Sequence, residues 1–263
     1  MHRRYNSAAM GADEYLQAIL NRETVDTGPL SPVRGVQAVL YPVIQGWARH
    51  YLVAVHPSGS FMKGTANKSG TDIDLFISLS EQTPETLKQI HDTLFEAIKT
   101  YGYAPNRQNV SINVTVAGGY SVDLVPGKRQ NSFTTDHSLY RRKADTWTKT
   151  NVLTHINHVT AAGRQREIRI LKLWRNQKKL DFPSFYLELT VIDALSGQYS
   201  GTVSGNVWKV LEYLRDRFPI ARVVDPANTN NIISDDLSVS DKNKIKANAG
   251  EALKATNWSQ IVT

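Results

Sequence analysis

The apolar positions of the chain follow two different periods, which divide it into two parts. Spacings of three and four residues predict helices along most of its length, whereas a period of two appears in short segments of the first half. The predicted helices span 8–22, 31–50, 83–101, 164–179, 207–218 and 240–255, and two more begin at Val152 and Ser184. The first part therefore mixes helices with strands, and the second part is helical.

The strand-like segments of the first part predict a small sheet. Two of them, 111–116 and 120–125, flank Gly118 and Gly119 and predict a β-hairpin. The stretch 131–145 shows neither period and is predicted to be a loop. We expect an α+β fold with a mixed sheet covered on one face by helices, the first two helices included. The predicted lobes are residues 1–150 and 151–263.

Two acidic residues mark the start of one predicted strand. Asp72 and Asp74 are two residues apart, so they project from the same face, while Ile73 and Leu75 project into the core. Carboxylates held this close repel one another unless a cation lies between them. Hard oxygen ligands of this kind suit Mg²⁺, which is usually shared with substrate phosphates.

Further residues extend this pattern on both sides along the chain. Asp123 lies between Val122 and Leu124 in the second strand of the hairpin, so it faces away from the apolar side. If that strand adjoins the one bearing Asp72 and Asp74, three carboxylates converge, as two Mg²⁺ ions require. Upstream, Gly59 and Ser60 form a turn whose backbone N–H and hydroxyl suit phosphate oxygens.

Composition limits the class of protein without deciding its function. Apolar content of 41% and charged content of 21% are typical of a globular protein, and no stretch approaches a membrane-spanning length. The chain has no cysteine, which excludes disulfides and thiolate metal sites. A net charge of +7 fits either a nucleic-acid surface or an anionic substrate. We expect a cytoplasmic protein.

The motifs around the three carboxylates resemble those of the DNA polymerase β-like nucleotidyltransferase superfamily. The pattern is Gly59-Ser60, a spacer, Asp72-Ile-Asp74 and a later Val-Asp123-Leu. The resemblance implies that Ser60 contacts a triphosphate and that Asp72 and Asp74 bind two metal ions. It also implies that Asp123 binds the metal on the acceptor side and activates the acceptor hydroxyl. The implied ions are two Mg²⁺, with Mn²⁺ as an alternative.

The second lobe resembles a narrower group, the cGAS/DncV-like nucleotidyltransferases. The resemblance rests on Leu-Lys172-Leu-Trp, Pro-Ser184-Phe-Tyr-Leu-Glu-Leu and Asp225-Pro226-Ala-Asn228. It implies a bilobal fold with the active site in the cleft between the lobes. It also implies that Lys172 and Ser184 hold the donor triphosphate and that Phe185 stacks on a base. From the residues alone, Lys172 either reaches water or meets an anion, and Ser184 caps a helix.

The resemblance implies an enzyme that joins NTPs into a cyclic di- or oligonucleotide second messenger, releasing pyrophosphate. ATP and GTP are the expected substrates, with pyrimidine NTPs as alternatives, and the expected role is anti-phage (CBASS-like) signalling. A regulatory protein partner fits this picture, whereas the sequence requires neither a membrane nor a nucleic-acid activator. The alternatives are an RNA 3′-end nucleotidyltransferase of the CCA-adding or poly(A) kind and an inactive nucleotide-binding module. His155 and His158 are interpreted as surface or substrate-rim residues and not as zinc ligands.

Overall fold

The computed structural model describes residues 11–70, 72–198 and 201–263. Its helices are α1 (Ala12–Arg22), α2 (Pro32–Ala48), α3 (Gly59–Lys63), α4 (Leu87–Thr100), α5 (Val152–Ala161), α6 (Gln165–Gln177), α7 (Ser184–Ala194), α8 (Val203–Asp216) and α9 (Val239–Ala252). Its strands are β1 (Leu52–Pro57), β2 (Ile73–Leu79), β3 (Asn106–Arg107), β4 (Ile112–Val116), β5 (Tyr120–Arg129), β6 (His137–Arg141), β7 (Thr146–Thr150), β8 (Val224–Asp225) and β9 (Asn228–Ile232). The predicted start of the first helix at residue 8 lies outside the described residues.

The larger sheet is mixed, as predicted. Its strands lie in the order β1-β2-β5-β4-β3, and β6 and β7 continue it from the end of β5. The β2–β5 pair is parallel, whereas the other pairs are antiparallel. The α4 crossover makes the parallel pairing possible, because parallel neighbours need a long connection.

The expectation of a loop at 131–145 was wrong. Strand β6 lies inside that stretch and pairs with both β5 and β7. The β6–β7 hairpin has no clear apolar alternation, because only Leu139 and Tyr140 among its larger apolar side chains are buried. Trp147 is 56% exposed on β7, so the usual signal of a half-buried strand is missing there.

One face of the sheet forms the first hydrophobic core. Helices α2 and α4 cover it, and their buried residues Leu40, Ile44 and Leu94 pack with Leu75 and Leu124 of the central strands. Residues two apart on those strands share this face, so the intervening residues project to the opposite side. The fold thus leaves Asp74 and Asp123 on the face that α2 and α4 do not cover.

The second core is helical and includes α1. Leu16, Ile19 and Leu20 of α1 pack with α6 and α8 and not against the sheet, so the prediction for this helix was wrong. An amphipathic helix shows which of its faces is buried but not which core it joins. The chain consequently passes between the lobes twice, between α1 and α2 and between β7 and α5.

Within the described residues, no helix is both long enough and apolar enough to cross a membrane. The lobe boundary at residue 150 stays a prediction. Helix α1 precedes that boundary in the sequence, yet its buried residues belong to the helical core.

Candidate active site

Asp74 and Asp123 face each other across the parallel strand pair. Asp74 of β2 is in register with Asp123 of β5, and neighbouring strands lie about 4.8 Å apart. Asp72 is exposed immediately before β2, and its charge acts on both other carboxylates. The sheet therefore brings Asp74 and Asp123 together, and Asp72 lies near enough for its charge to act on both.

Gly59 lies directly against the Asp74 carboxylate. A Cβ atom at Gly59 would come within 1.7 Å of Asp74 Oδ2, and the backbone φ of +56° is one that side chains disfavour. In addition, the Ser58 N–H donates to the Asp74 carbonyl oxygen at 2.8 Å. The predicted Gly-Ser turn is instead the first turn of the short helix α3, with Ser60 half-buried as its second residue.

The environment of these carboxyl groups favours their protonated forms. Burial and repulsion by Asp123 raise the pKa of Asp74 to about 6, although Lys63 partly opposes the shift. Burial likewise raises the pKa of Asp123, opposed by a 2.7 Å hydrogen bond from Asn113 Nδ2 to its Oδ1. Negative charge thus accumulates here without full compensation, which is the condition that a bound cation relieves.

The donor set fits a hard divalent ion. Carboxylate oxygens are the ligands that Mg²⁺ prefers, and a bound cation would relieve the repulsion between Asp74 and Asp123. Within the described residues, no group of three or more acidic or histidine side chains lies close enough together to hold a metal ion. Asp74 and Asp123 would hold the ion, and Asp72, which lies immediately before β2, would be the third ligand.

A buried ionic cluster lies beside the carboxylates and joins the two lobes. Glu188 of α7 accepts hydrogen bonds from Lys172 Nζ at 2.6 Å and Lys63 Nζ at 2.8 Å, and Thr65 Oγ1 donates to it at 2.7 Å. These four residues are all less than 10% exposed. The sequence left open whether Lys172 reaches water or meets an anion, and here the anion is Glu188.

Two lysines share one carboxylate in this cluster. Burial alone would raise the pKa of Glu188, but the charges of Lys172 and Lys63 outweigh it and lower the pKa to about 2. Both lysines also act electrostatically on Asp74. The cluster therefore carries a net positive charge next to the three carboxylates, where a polyphosphate would be attracted.

Ser184 and Phe185 lie at the start of α7, near this cluster. Pro183 is the N-cap residue, so the prediction that Ser184 caps the helix was wrong; Ser184 is its first residue. The Ser184 hydroxyl accepts a 2.9 Å hydrogen bond from Arg175 Nη1. Phe185 contacts Lys63 Nζ, 4.5 Å from its ring centroid, and the His155 ring, 4.4 Å between centroids.

His155 is held by a carboxylate that the sequence did not pair with it. Its Nε2 lies 2.7 Å from Asp225 Oδ1, and Asn231 Nδ2 donates to Asp225 Oδ2 at 3.1 Å. The interpretation of His155 as a surface or rim residue is thus incomplete, because Asp225 and Phe185 fix its ring. His158 makes no such contact with the described residues.

Comparison with known proteins places this site in context. No family model matches the chain. The chain is 26% identical over 152 residues to the cyclic AMP-AMP-AMP synthase of Escherichia coli strain MS 115-1. The alignment covers 53% of this chain and 47% of that protein, so it spans about half the length of the curated relative. The chain is similar to the cGAS/DncV-like nucleotidyltransferases.

Solved structures agree with this similarity at the level of the fold. Escherichia coli MS115-1 CdnC, solved in complex with HORMA-deltaN, superposes with a TM-score of 0.74 at 19% identity, covering 95% of this chain and 91% of that chain. Bradyrhizobium diazoefficiens CD-NTase CdnG, solved with GTP, gives a TM-score of 0.76 at 14% identity over 97% and 96%. The cGAS/DncV-like fold predicted from the motifs is confirmed.

Several residues of this site escaped the sequence analysis. Among them are Lys63, Thr65 and Glu188 of the ionic cluster and Asn113, the register partner of Asp123. One signal was available for Glu188, since a glutamate within the apolar run of α7 calls for a buried partner just as Lys172 does. Lys63 follows Phe61 and Met62, and Asn113 lies between Ile112 and Val114, but neither pattern indicates a buried polar partner.

Proposed function

We propose that the chain is a metal-dependent nucleotidyltransferase that joins NTPs into a cyclic di- or oligonucleotide and releases pyrophosphate. The observation that carries the proposal is the register of Asp74 with Asp123, with Gly59 packed against Asp74. The relationship to a cyclic AMP-AMP-AMP synthase supports the cyclic product. The proposed role is anti-phage signalling, as the motif resemblance implies.

The proposed metal site uses Asp72, Asp74 and Asp123 with two Mg²⁺ ions, or Mn²⁺ as an alternative. When bound, such ions neutralise phosphate charge and lower the pKa of an attacking hydroxyl. Asp123 is proposed to take the acceptor side, as the motif resemblance implies, and a 2.7 Å hydrogen bond from Asn113 orients one of its oxygens.

The proposed triphosphate site lies at α3 and the ionic cluster. Gly59 and Ser60 supply a backbone N–H and a hydroxyl beside Asp74. Lys172 and Lys63 supply positive charge, and both donate hydrogen bonds to Glu188, which orients them. Ser184 extends the site on α7, and Phe185 is proposed to stack on a base once Lys63 turns from its ring toward phosphate.

The proposed partners are NTPs, with ATP and GTP first, and a regulatory protein. Structural neighbours solved with GTP and with HORMA-deltaN support these two classes of partner. The same fold also suits an enzyme that adds nucleotides to RNA ends, so the choice of acceptor needs a direct test.

Incubation with labelled NTPs and Mg²⁺, with and without tRNA, tests the proposal. We expect a small labelled product that resists phosphatase, because a cyclic product has no terminal phosphate. Labelled tRNA would replace the proposal with RNA 3′-end transfer, and no incorporation would leave a nucleotide-binding module. Mass spectrometry of the product then gives its bases and ring size.

A further inference from the structure

A mainly apolar pocket lies where the first crossing between the lobes meets the sheet. Its volume is about 420 Å³, within the range of small-molecule sites. Val25 of the crossing and Val33 at the start of α2 line it, together with Ile73 of β2 and Tyr120 of β5. Lys68, from the segment between α3 and β2, also lines it. The pocket thus combines apolar walls with a cationic side chain.

The apolar walls extend the first hydrophobic core outward to a site that a ligand can reach. Val33 and Ile73 are buried members of that core, and Val25 packs against it. Tyr120 lies two residues before Val122 on β5, so its ring projects from the same face of the sheet, and it is 39% exposed. A concave apolar surface of this kind is the usual feature of a ligand site.

Two residues of opposite charge line the pocket. Asp26 Oδ1 accepts a 2.8 Å hydrogen bond from the Gly28 N–H, which fixes this carboxylate in a turn. The Lys68 N–H donates to the Glu23 carbonyl oxygen at 3.1 Å, and the Ser69 N–H donates to Glu23 Oε2 at 2.9 Å. The backbone of Lys68 is therefore held against the end of α1. Its ammonium group forms neither a hydrogen bond nor an ion pair with the described residues.

We propose that this pocket binds a small hydrophobic anion, with its apolar body against Val33, Ile73 and Tyr120 and its anionic group at Lys68. Removal of apolar surface from water supplies most of the affinity. The ion pair with Lys68 distinguishes the anion from a neutral molecule of the same shape. The Asp26 carboxylate repels an anion, so it directs the anionic group of the ligand toward Lys68.

The pocket is separate from the carboxylate site because the two lie on opposite faces of the sheet. Ile73 and Tyr120 project from the face that α2 and α4 cover, whereas Asp74 and Asp123 project from the other face. A ligand in the pocket therefore does not compete with an NTP for the carboxylates. The proposal is independent of the proposed function, since it requires neither a metal ion nor a transfer reaction.

Fluorescence titration with 8-anilinonaphthalene-1-sulfonate in EDTA tests the proposal with a probe of this chemistry. N-phenyl-1-naphthylamine is the matched neutral probe, because it has the same rings and no sulfonate. We expect Lys68→Gln to weaken binding of the sulfonate about fivefold and to leave binding of the neutral probe unchanged. Tyr120→Ala should weaken binding of both probes about tenfold, whereas Tyr120→Phe should retain it.

Two control variants remove the same kinds of side chain elsewhere. Lys246→Gln removes an exposed cation from α9, and Tyr101→Ala removes an aromatic side chain, 60% exposed, after α4. Both variants should bind both probes as the wild-type protein does, and circular dichroism checks that every variant is folded. Equal affinity of Lys68→Gln and the wild-type protein for the sulfonate would overturn the proposal, as would unchanged binding of both probes by folded Tyr120→Ala.

Competition shows which face of the sheet holds the probe and which anions fit. With Mg²⁺ present, ATP should leave the sulfonate probe bound; its displacement by ATP would place the probe in the nucleotide cleft and overturn the proposal. Displacement by 1-naphthoate alone assigns the pocket to aromatic anions, and displacement by octanoate as well extends it to aliphatic ones. Displacement by neither carboxylate contradicts the proposal, whether or not the protein joins NTPs.

Discussion

The Asp74 carboxyl group is buried beside a second carboxylate, so its ionisation opposes folding. Its pKa is about 6 in the folded protein and about 4 in an unfolded chain. Between about pH 4 and pH 6, the folded protein therefore binds this proton more tightly than the unfolded chain does. The stability that it contributes is complete below about pH 4 and is lost as the pH rises through 6.

Replacing Asp74 by Asn should remove this pH dependence. In EDTA we expect the free energy of unfolding at pH 8 to rise by about 2 kcal/mol, with little change at pH 4. Urea denaturation at the two pH values measures this, and Asp181→Asn at an exposed position is the control. Added Mg²⁺ should stabilise the wild-type protein but not Asp74→Asn. A variant that is less stable at pH 8 would contradict the electrostatic account.

Gly59 gives a second test at the scale of one residue. A methyl group there would displace the Asp74 carboxylate, so Gly59→Ala should abolish synthesis and cost more than the roughly 1 kcal/mol of an unfavourable φ. Gly163→Ala is the matched control, since its φ of +66° is similar and its Cβ would meet nothing within 4 Å. Thermal melts and product assays on both variants measure the difference. Equal behaviour of the two would mean that the Gly59 contact is unimportant.

The face on which each carboxylate lies could be predicted from the sequence because period-two alternation is a local pattern. The pairing of β2 with β5, which brings Asp74 to Asp123, is not local, and the motif resemblance indicated it. The Lys63–Glu188 contact could not be predicted in the same way, because 125 residues separate its partners. The sequence patterns within α3 and α7 do not indicate that these two helices contact each other.

At the scale of elements, α3, α6 and α7 meet through Glu188. Replacing Glu188 by Gln leaves two buried lysines without their counter-charge and should reduce stability by about 3 kcal/mol at pH 7. Because the folded pKa of Glu188 is about 2, the wild-type protein should lose this contribution between about pH 4.5 and 2, and the variant should not.

Denaturant unfolding across this pH range measures the effect. Glu251→Gln removes an exposed pair with Lys254, 72% exposed on both sides, and should change stability by less than about 0.5 kcal/mol. If Glu188→Gln behaves like Glu251→Gln, the cluster does not hold the lobes together.

The elements that were mispredicted share one cause. Strand β6 lacks an alternating apolar pattern, β7 exposes two of its five residues, and α1 offers an apolar face that suits either core. In both cases contacts with distant parts of the chain decide the structure, and the local sequence pattern does not reveal those contacts. The elements with strong periodicity, such as α2, α4 and α6, formed where predicted.

At the scale of the whole molecule, the double variant Asp72→Ala with Asp74→Ala tests the proposed reaction. We expect loss of product with the fold retained, because removing two repelling carboxylates relieves strain in the metal-free sheet. Labelled NTP incorporation measures activity, and circular dichroism with a thermal melt measures folding. Product formation by the folded double variant would refute the metal-site assignment.

The placement of α1 in the helical core has a mechanical consequence. Two bodies joined by one segment of chain can twist freely, but here the backbone crosses at 23–31 and again at Asn151. Rotation about the line through these crossings is the relative motion that strains neither of them. Opening of the cleft about this line would also have to break the hydrogen bonds from Lys63 and Thr65 to Glu188, which join the lobes away from the two crossings.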